Sequence, residues 1–342
     1  MTVAEPMRLA LLFGGPSTEH KISLRSARSV IEHLNKEKYQ VVLCGINKDG
    51  GWLDEEASAR LLHGKEVDTK GGPPALPAGV DCVFPVLHGA YGEDGKVQGW
   101  MEMLGMPFVG SPSKGSVLGM DKSLTKHMLR TEGITVASWS DVFYRDFEND
   151  PAAETERVAK ERGFPCFIKP VSQGSSVGIS RAKDRAELRA GLEKALQYGR
   201  YAMVEPEIKG KELEVAVLGG DNPIVSVPGE VRPEEWYTFE AKYEDDTAEL
   251  LIPAPDIHPS LVQGIQDIAL KVFRILHLSA LARVDFFLEK STGKVYVNEV
   301  NTMPGFTDIS MYPQLMEHAG VPFEELLDRL IEKAFEKNAA LV

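Results

Sequence analysis

Three side chains toward the C-terminal end have the types and spacing of a hard-metal site. Asp285 lies in Ala-Arg-Val-Asp-Phe-Phe, and Glu299 and Asn301 lie in Val-Asn-Glu-Val-Asn. Residues i and i+2 of a strand share a face, so Glu299 and Asn301 project together, and hairpin pairing of the two segments can bring Asp285 opposite them. Three oxygen donors on one sheet face suit Mg²⁺, which keeps waters and takes nucleotide phosphates as remaining ligands. A solvated polar face is the alternative, but these residues interrupt strongly apolar segments, where carboxylates are seldom left unpaired.

A lysine and a small flexible loop form a second set. Lys169 lies in Phe-Ile-Lys-Pro, and Gln-Gly-Ser-Ser-Val-Gly follows at 173–178, with Ser175 and Ser176 inside it. Backbone N–H groups of such a loop can form an anion nest, and hydroxyls add donors. Glycine lets the backbone approach a phosphate closely. A surface turn is the alternative. Glu205 ends Ala-Met-Val-Glu, and Glu212 follows shortly after. Their carboxylates could meet an adenine amine and ribose hydroxyls, or form an exposed acidic turn. Lys122, in Gly-Met-Asp-Lys-Ser, opens a helix, where anions bind readily. Glu19 follows Gly-Gly-Pro-Ser-Thr outside the carboxyl end of the first strand, the usual ligand crevice of an open α/β sheet. It could accept a bond from a substrate ammonium, or mark a helix cap with Thr18 or Ser17 as N-cap. His88 also ends a strand, where a lone histidine is more often structural than catalytic.

Alternating strands and helices must position these groups. Apolar runs predict strands over 8–13, 39–46, 80–87 and 107–110, and helical spacing predicts helices over 20–34 and 96–104. Strands alternating with helices imply a mostly parallel open sheet. Residues 49–79, rich in Gly and Pro, read as an irregular surface connection. A break falls near Gly110-Ser111-Pro112-Ser113. Beyond it, helices are expected over 120–131, 152–162 and 184–196, and strands over 136–143, 166–170 and 201–205. A third block starts near Glu212, with strands over 213–218 and 224–227, a helix over 261–276, a hairpin over 280–288 and 294–300, and closing helices over 310–319 and 323–337. Residues 230–250 show no clear period and read as a long loop of the functional kind.

The chain has 342 residues, enough for two or three domains, with 43% hydrophobic and 26% charged residues. That balance excludes collagen-like, disordered and membrane-spanning classes. With 38 basic and 51 acidic residues the net charge is −13, a poor match for general nucleic-acid binding, which needs clustered Lys and Arg. Cys44, Cys82 and Cys166 are odd in number, widely spaced and set in apolar runs, so they read as packed core thiols rather than disulfides or zinc ligands. The first residues show no charged n-region before an apolar stretch. A cytoplasmic, soluble protein is expected. No G-x-x-x-x-G-K-[ST] loop occurs, and no G-x-G-x-x-G follows the first strand, which weighs against a Walker site and a Rossmann oxidoreductase.

Seven segments together resemble the D-alanine–D-alanine ligases of the ATP-grasp superfamily. They are Leu-Phe-Gly-Gly-Pro-Ser-Thr-Glu-His-Lys-Ile-Ser, Leu-His-Gly-Ala-Tyr-Gly-Glu-Asp-Gly, Gly-Met-Asp-Lys, Lys-Pro-Val-Ser-Gln-Gly-Ser-Ser-Val-Gly, Phe-Glu-Ala-Lys-Tyr, Ala-Arg-Val-Asp-Phe-Phe and Asn-Glu-Val-Asn-Thr-Met-Pro-Gly-Phe-Thr. They occur in family order and span nearly the whole chain. The resemblance implies a three-lobe α/β architecture, α+β in its ATP-grasp part. Residues 1–112 would form an N-terminal parallel-sheet, Rossmann-like substrate lobe. Residues 113–211 would form the central ATP-grasp lobe, and 212–342 the C-terminal lobe with the metal site and a lid at 230–250.

The resemblance also assigns roles. ATP is the co-substrate, with Lys122 and Lys169 on its phosphates, Ser175 and Ser176 in the closing loop, and Glu205 and Glu212 at adenine and ribose. Two Mg²⁺ ions, or Mn²⁺ in their place, would be held by Asp285, Glu299 and Asn301. The carboxylate of a first D-alanine attacks the γ-phosphorus, and the amine of a second attacks the resulting acyl phosphate. Glu19 would anchor the first ammonium with His88 beside it, Arg283 and the Gly305 N–H would hold the oxyanion, and Ser310 the second carboxylate. Lys242 and Tyr243 would close as part of the lid and exclude water; the tyrosine accompanies an amine rather than D-lactate as second substrate. Relatives are commonly homodimers, so a homodimer is expected, with no nucleic-acid or membrane partner. Two departures stand out. Lys21 replaces the family's usual Glu, and Pro206 removes a backbone donor beside Glu205. The competing readings are a same-fold ligase that takes D-serine or D-lactate, and a non-catalytic nucleotide-binding module.

Overall fold

The structure is a computed structural model that describes residues 5–65, 67, 70–220, 222–232 and 249–339. Its strands form three sheets. The first is parallel, in the order β2-β1-β3, from β1 (Met7–Gly14), β2 (Tyr39–Ile46) and β3 (Cys82–Pro85). Side chains alternate across β1: Leu9, Leu11 and Phe13 pack with the helix His20–His33 on one face, and Ala10 and Leu12 pack with Met101 and Phe108 on the other. All five are fully buried, as a central parallel strand requires. The 107–110 segment contributes only an isolated bridge, Val83 to Phe108.

The second sheet is antiparallel, β4-β7-β5-β6, from β4 (Ser140–Phe143), β5 (Cys166–Pro170), β6 (Ser180–Ala182) and β7 (Tyr201–Pro206). The third is built on β8 (Gly210–Leu218), which pairs with β9 (Ile224–Val225), β10 (Gly229–Arg232) and β12 (Leu281–Glu289); β11 (Glu249–Leu251) extends β10, and β13 (Val295–Asn301) extends β12. The expected loop over 230–250 therefore begins and ends in paired strand, Val231 opposite Leu250.

Other boundaries shift for local reasons. The expected helix over 120–131 is two, Ser113–Met120 and Lys122–Thr131. Asp121 breaks them: its backbone is extended and its side chain caps the second helix by accepting from the Ser123 and Leu124 N–H groups, at 3.1 and 3.0 Å. The strand expected over 136–143 shortens to β4, because Val136 bridges to Val297 in a different sheet. The irregular 49–79 segment holds a helix, Glu55–Leu62, capped by Asp54 from the Ala57 N–H at 2.8 Å.

Two of the apolar clusters join segments distant in sequence, while the second sheet packs with its own helices. Leu326, Leu327 and Leu330 of the C-terminal helix Phe323–Ala339 pack with Leu9 and Phe84 of the first sheet and Val30 of the helix His20–His33. Leu129 and Ile134 pack with Val215, Val284 and Phe286 of the third. The three cysteines are buried free thiols. No helix among the described residues is long and apolar enough to cross a membrane.

Candidate active site

Two buried lysines meet one buried glutamate at the inner end of the second sheet. Antiparallel pairing sets Phe167 opposite Glu205, so Lys169, two residues along β5, shares the face of Glu205. The Lys169 ammonium contacts Glu205 Oε1, and that of Lys126, from the helix Lys122–Thr131, lies 2.8 Å from Oε2. Burial alone would push the Glu205 carboxyl up; the two lysines outweigh it and hold it at about 2. Lys126 is 1% exposed, and its desolvation brings its pKa below the ordinary lysine value although Glu205 favours the ammonium. Sequence reasoning missed Lys126. The available signal was its spacing: four residues after Lys122 on one helix, it lies on the same face.

Lys122 reaches the other way. Its ammonium donates to the Gln173 carbonyl at 2.7 Å and lies 3.3 Å from Glu299 Oε2. Lys169 also donates to Asn298 Oδ1 at 3.2 Å. The 171–178 loop is therefore joined to the metal-type strand β13 through lysines. Ser175 and Ser176 both adopt left-handed backbone, φ 50° and 59°, a conformation that side-chain-bearing residues disfavour. The Ser175 hydroxyl donates to Glu19 Oε1, across 156 residues of chain.

That contact turns Glu19 away from a capping role. The residue stands at the N-cap position of the helix His20–His33, but its side chain caps nothing there. It turns inward, 7% exposed, against Gly89 and Gly174. His88 is buried with both ring nitrogens engaged: Nδ1 donates to the Met303 carbonyl at 3.0 Å and Nε2 lies 2.9 Å from Ser26 Oγ. Burial lowers its pKa, so it stays neutral. Its direct contacts are thus with the Met303 loop and Ser26. Glu93 braces the same loop, accepting from the Gly89 and Met303 N–H groups at 2.8 and 3.1 Å. Burial, with Glu19 nearby, pushes its carboxyl up to about 7.

The expected hairpin forms as β12–β13, and its register sets Asp285 opposite Glu299 and Arg283 opposite Asn301. Arg283 grips Asp285 with two bonds of 2.7 Å and lies 3.0 Å from Glu214. Asn301 Nδ2 donates to Asp285 Oδ2 at 2.9 Å. Two carboxylates directly opposite each other on paired strands repel unless cations intervene; here Arg283 and Lys122 intervene. Among the described residues no three His, Cys, Asp or Glu side chains converge as a metal cage. The set is two carboxylates and an amide, all hard oxygen donors, which fits an ion that completes its shell with water and phosphate.

Gly305 and Ser310 are adjacent: a Cβ on Gly305 would lie 3.1 Å from Ser310 Oγ. Ser310 Oγ accepts from the Thr307 N–H at 3.1 Å. Glu212 is exposed, yet near enough to raise the Lys169 pKa. Lys21 points to solvent, and Pro206 ends β7 opposite Cys166. Lys242 and Tyr243 lie outside the described residues. A surface groove lined by His127, Met128, Arg274 and His277 holds none of the site residues.

Known proteins resemble the chain over nearly its whole length. Family models described as D-ala D-ala ligase N-terminus and C-terminus match residues 8–111 and 128–332. The chain is 42% identical to the D-alanine–D-alanine ligase of Caldicellulosiruptor bescii, over 97% of this chain and 96% of that one. It is 41% identical to that of Geobacillus kaustophilus, over 97% and 95%. Among solved structures, the D-alanine-D-alanine ligase from Coxiella burnetii superposes with a TM-score of 0.84 at 36% identity, covering 99% of this chain and 96% of that one. The VanG D-Ala:D-Ser ligase from Enterococcus faecalis gives 0.81 at 33% identity, covering 96% and 100%.

Proposed function

The chain belongs to the D-alanine–D-alanine ligase family, and on that premise we propose how its residues divide the work of joining two D-alanines with ATP. The activity is ligation of one D-alanine carboxylate to the amine of a second, giving D-alanyl-D-alanine for peptidoglycan. A carboxylate oxygen is a poor leaving group, so the first carboxylate is phosphorylated before the amide forms. Phosphoryl transfer relies on positioning and charge neutralisation. Lys122 and Lys169 hold the nucleotide phosphates, Ser175 and Ser176 close over them, and Glu205 and Glu212 receive adenine and ribose. Mg²⁺, with Mn²⁺ as a substitute, would be held by Asp285, Glu299 and Asn301 and would neutralise charge on the phosphates.

Glu19 binds the first ammonium, and His88 supports it by fixing the Met303 loop. Arg283 and the Gly305 N–H stabilise the tetrahedral oxyanion, a type of contact worth on the order of a hundredfold or more in rate. Ser310 binds the second carboxylate. Lys242 and Tyr243 belong to the lid of residues 230–250, which keeps water from the acyl phosphate. The three lobes, residues 1–112, 113–211 and 212–342, each contribute one wall. The helix Lys122–Thr131 belongs to the second lobe in sequence while its Leu129 packs into the core of the third. A homodimer is part of the reading, and the exposed Met103, Leu104 and Val117 are apolar side chains such an interface could cover. We assign the reaction to the cytoplasm, where ATP is available.

The observation that carries this reading is the Ser175–Glu19 hydrogen bond, which joins the phosphate-type loop to the carboxylate facing the amino-acid crevice. The test is phosphate release from ATP and Mg²⁺ with D-alanine, L-alanine, D-serine, or D-alanine plus D-lactate, with products identified by mass. A D-alanine-dependent signal with a dipeptide product is expected. Similarity to a D-Ala:D-Ser ligase makes the D-serine arm the one that fixes the second substrate. Nucleotide binding without release on any of them would overturn the assignment.

A further inference from the structure

The two lysines on Glu205 are not equivalent. Lys169 contacts Oε1 and also reaches Asn298 on β13, beside the metal-type strand residues. In the reading above it belongs to the nucleotide phosphates. Lys126 lies 2.8 Å from Oε2, is 1% exposed, and comes from the interior of a capped helix. We infer that Lys126 is a positioning residue that sets base selectivity: it holds one oxygen of Glu205 while Lys169 turns to phosphate, leaving the other oxygen to accept the exocyclic amine of adenine. This rests on Glu205 facing adenine.

Glu205 is 3% exposed, and such a carboxylate left without a partner takes a proton. The charged groups that face it are Lys126 from the helix and Lys169 from β5; Glu299 and Glu212 act one step further out, on the lysines. Once Lys169 is engaged by phosphate, Lys126 is the cation that keeps Glu205 ionised. An ionised carboxylate only accepts, so it favours the 6-amine of adenine and repels the 6-oxygen of hypoxanthine or guanine. A protonated one donates and loses that discrimination. A site built to hydrogen-bond one exocyclic group rejects an analogue that lacks it far more strongly than an apolar pocket does.

The experiment compares ATP with inosine triphosphate by phosphate release at saturating D-alanine and Mg²⁺, for wild type, K126M, E205Q and K126M/E205Q. K126M is expected to raise the KM for ATP about tenfold and to narrow the ATP:ITP ratio of kcat/KM by a similar factor. The narrowing should be greater at pH 6 than at pH 8, with the KM for D-alanine unmoved. On the E205Q background, K126M should add nothing. If E205Q narrows the ratio and K126M does not, the inference fails while the adenine reading of Glu205 stands. If neither moves it, Glu205 does not face the base and both fail. If K126M moves the ratio equally on both backgrounds, Lys126 meets the nucleotide itself and the inference fails. Should K126M alone not fold, the double variant carries the test: a ratio matching E205Q supports the inference, and a different one overturns it.

Discussion

Replacing Ser175 by alanine removes one oxygen and tests whether the loop and the amino-acid crevice work as one site. Ser175 donates to Glu19 Oε1 from a left-handed backbone position, and Glu19 is itself buried against Gly89 and Gly174. A hydrogen bond to a charged, partly buried acceptor is worth about 1.5–3 kcal/mol. Alanine keeps the same backbone conformation, so the loss falls on the contact. If closure of the loop over Glu19 accompanies phosphoryl transfer, the whole of it enters kcat/KM for D-alanine, a factor of roughly ten to one hundred and fifty. Initial rates of phosphate release across D-alanine concentration give that number. A double-mutant cycle with Glu19→Gln then isolates the pair: the two losses should fall short of additivity by about 1 kcal/mol or more. Additivity within about 0.5 kcal/mol, or an S175A rate within a factor of about two of wild type, would show that the contact is incidental.

Three further outcomes follow from the same geometry. Asp285→Asn keeps shape but removes the charge that Arg283 grips, and should raise the Mg²⁺ concentration for half-maximal activity on the order of tenfold or more; an unchanged Mg²⁺ titration would remove Asp285 from the metal set. Gly89→Ala places a Cβ 2.5 Å from Glu19 Oε2 at a φ of 71°, so Glu19 must shift and the KM for D-alanine should rise; an unmoved KM would show that Gly89 does not guard that carboxylate. Acid should unfold the wild type in a specific window. The Glu205 carboxyl is held at about 2 by Lys126 and Lys169, below its ordinary value of 4.5, so its stabilisation is full above that ordinary value and is lost as pH falls toward 2. That contribution is about 3 kcal/mol, and denaturation midpoints across the window should fall in wild type more than in E205Q; parallel profiles would contradict the assignment.

What the sequence made legible depended on whether the determining forces were local. The β12–β13 hairpin was readable because period-two apolarity fixes faces, which put Glu299 and Asn301 together; the pairing of Asp285 with Glu299 itself depends on register, which alternation does not set. The helix Ser113–Met120 was not. Its Gly115 and Gly119 are poor helix formers, and both are there for tertiary reasons: a Cβ at either would lie 2.7 Å from the His277 carbonyl or the Thr302 methyl. Glu19 was legible as either cap or ligand, and the partner that draws it away from the helix end lies 156 residues along the chain. His88 read as an ambiguous strand-end histidine for the same reason, its Nδ1 partner being 215 residues distant. Lys126 carried a spacing signal, but burial of an ammonium against Glu205 is a tertiary outcome.

The charges of the site are arranged so that nucleotide binding exchanges partners without stranding any of them. Lys122 faces Glu299, Lys169 and Lys126 share Glu205, and Arg283 holds Asp285 with Glu214 beside it. A buried charge left alone costs several kcal/mol, and an empty cleft of separate lysines and carboxylates would carry that cost at each position. Paired, they neutralise one another. In the proposed roles Lys122 and Lys169 turn to phosphate and Glu299 loses its lysine, and Glu299 is a carboxylate proposed to bind the metal that accompanies that phosphate. Glu205 also loses one lysine, and is the carboxylate that keeps another. The asymmetry is informative. In those roles Glu299 exchanges its lysine for the cation that arrives with the substrate, whereas Glu205 would face a neutral base and keep Lys126.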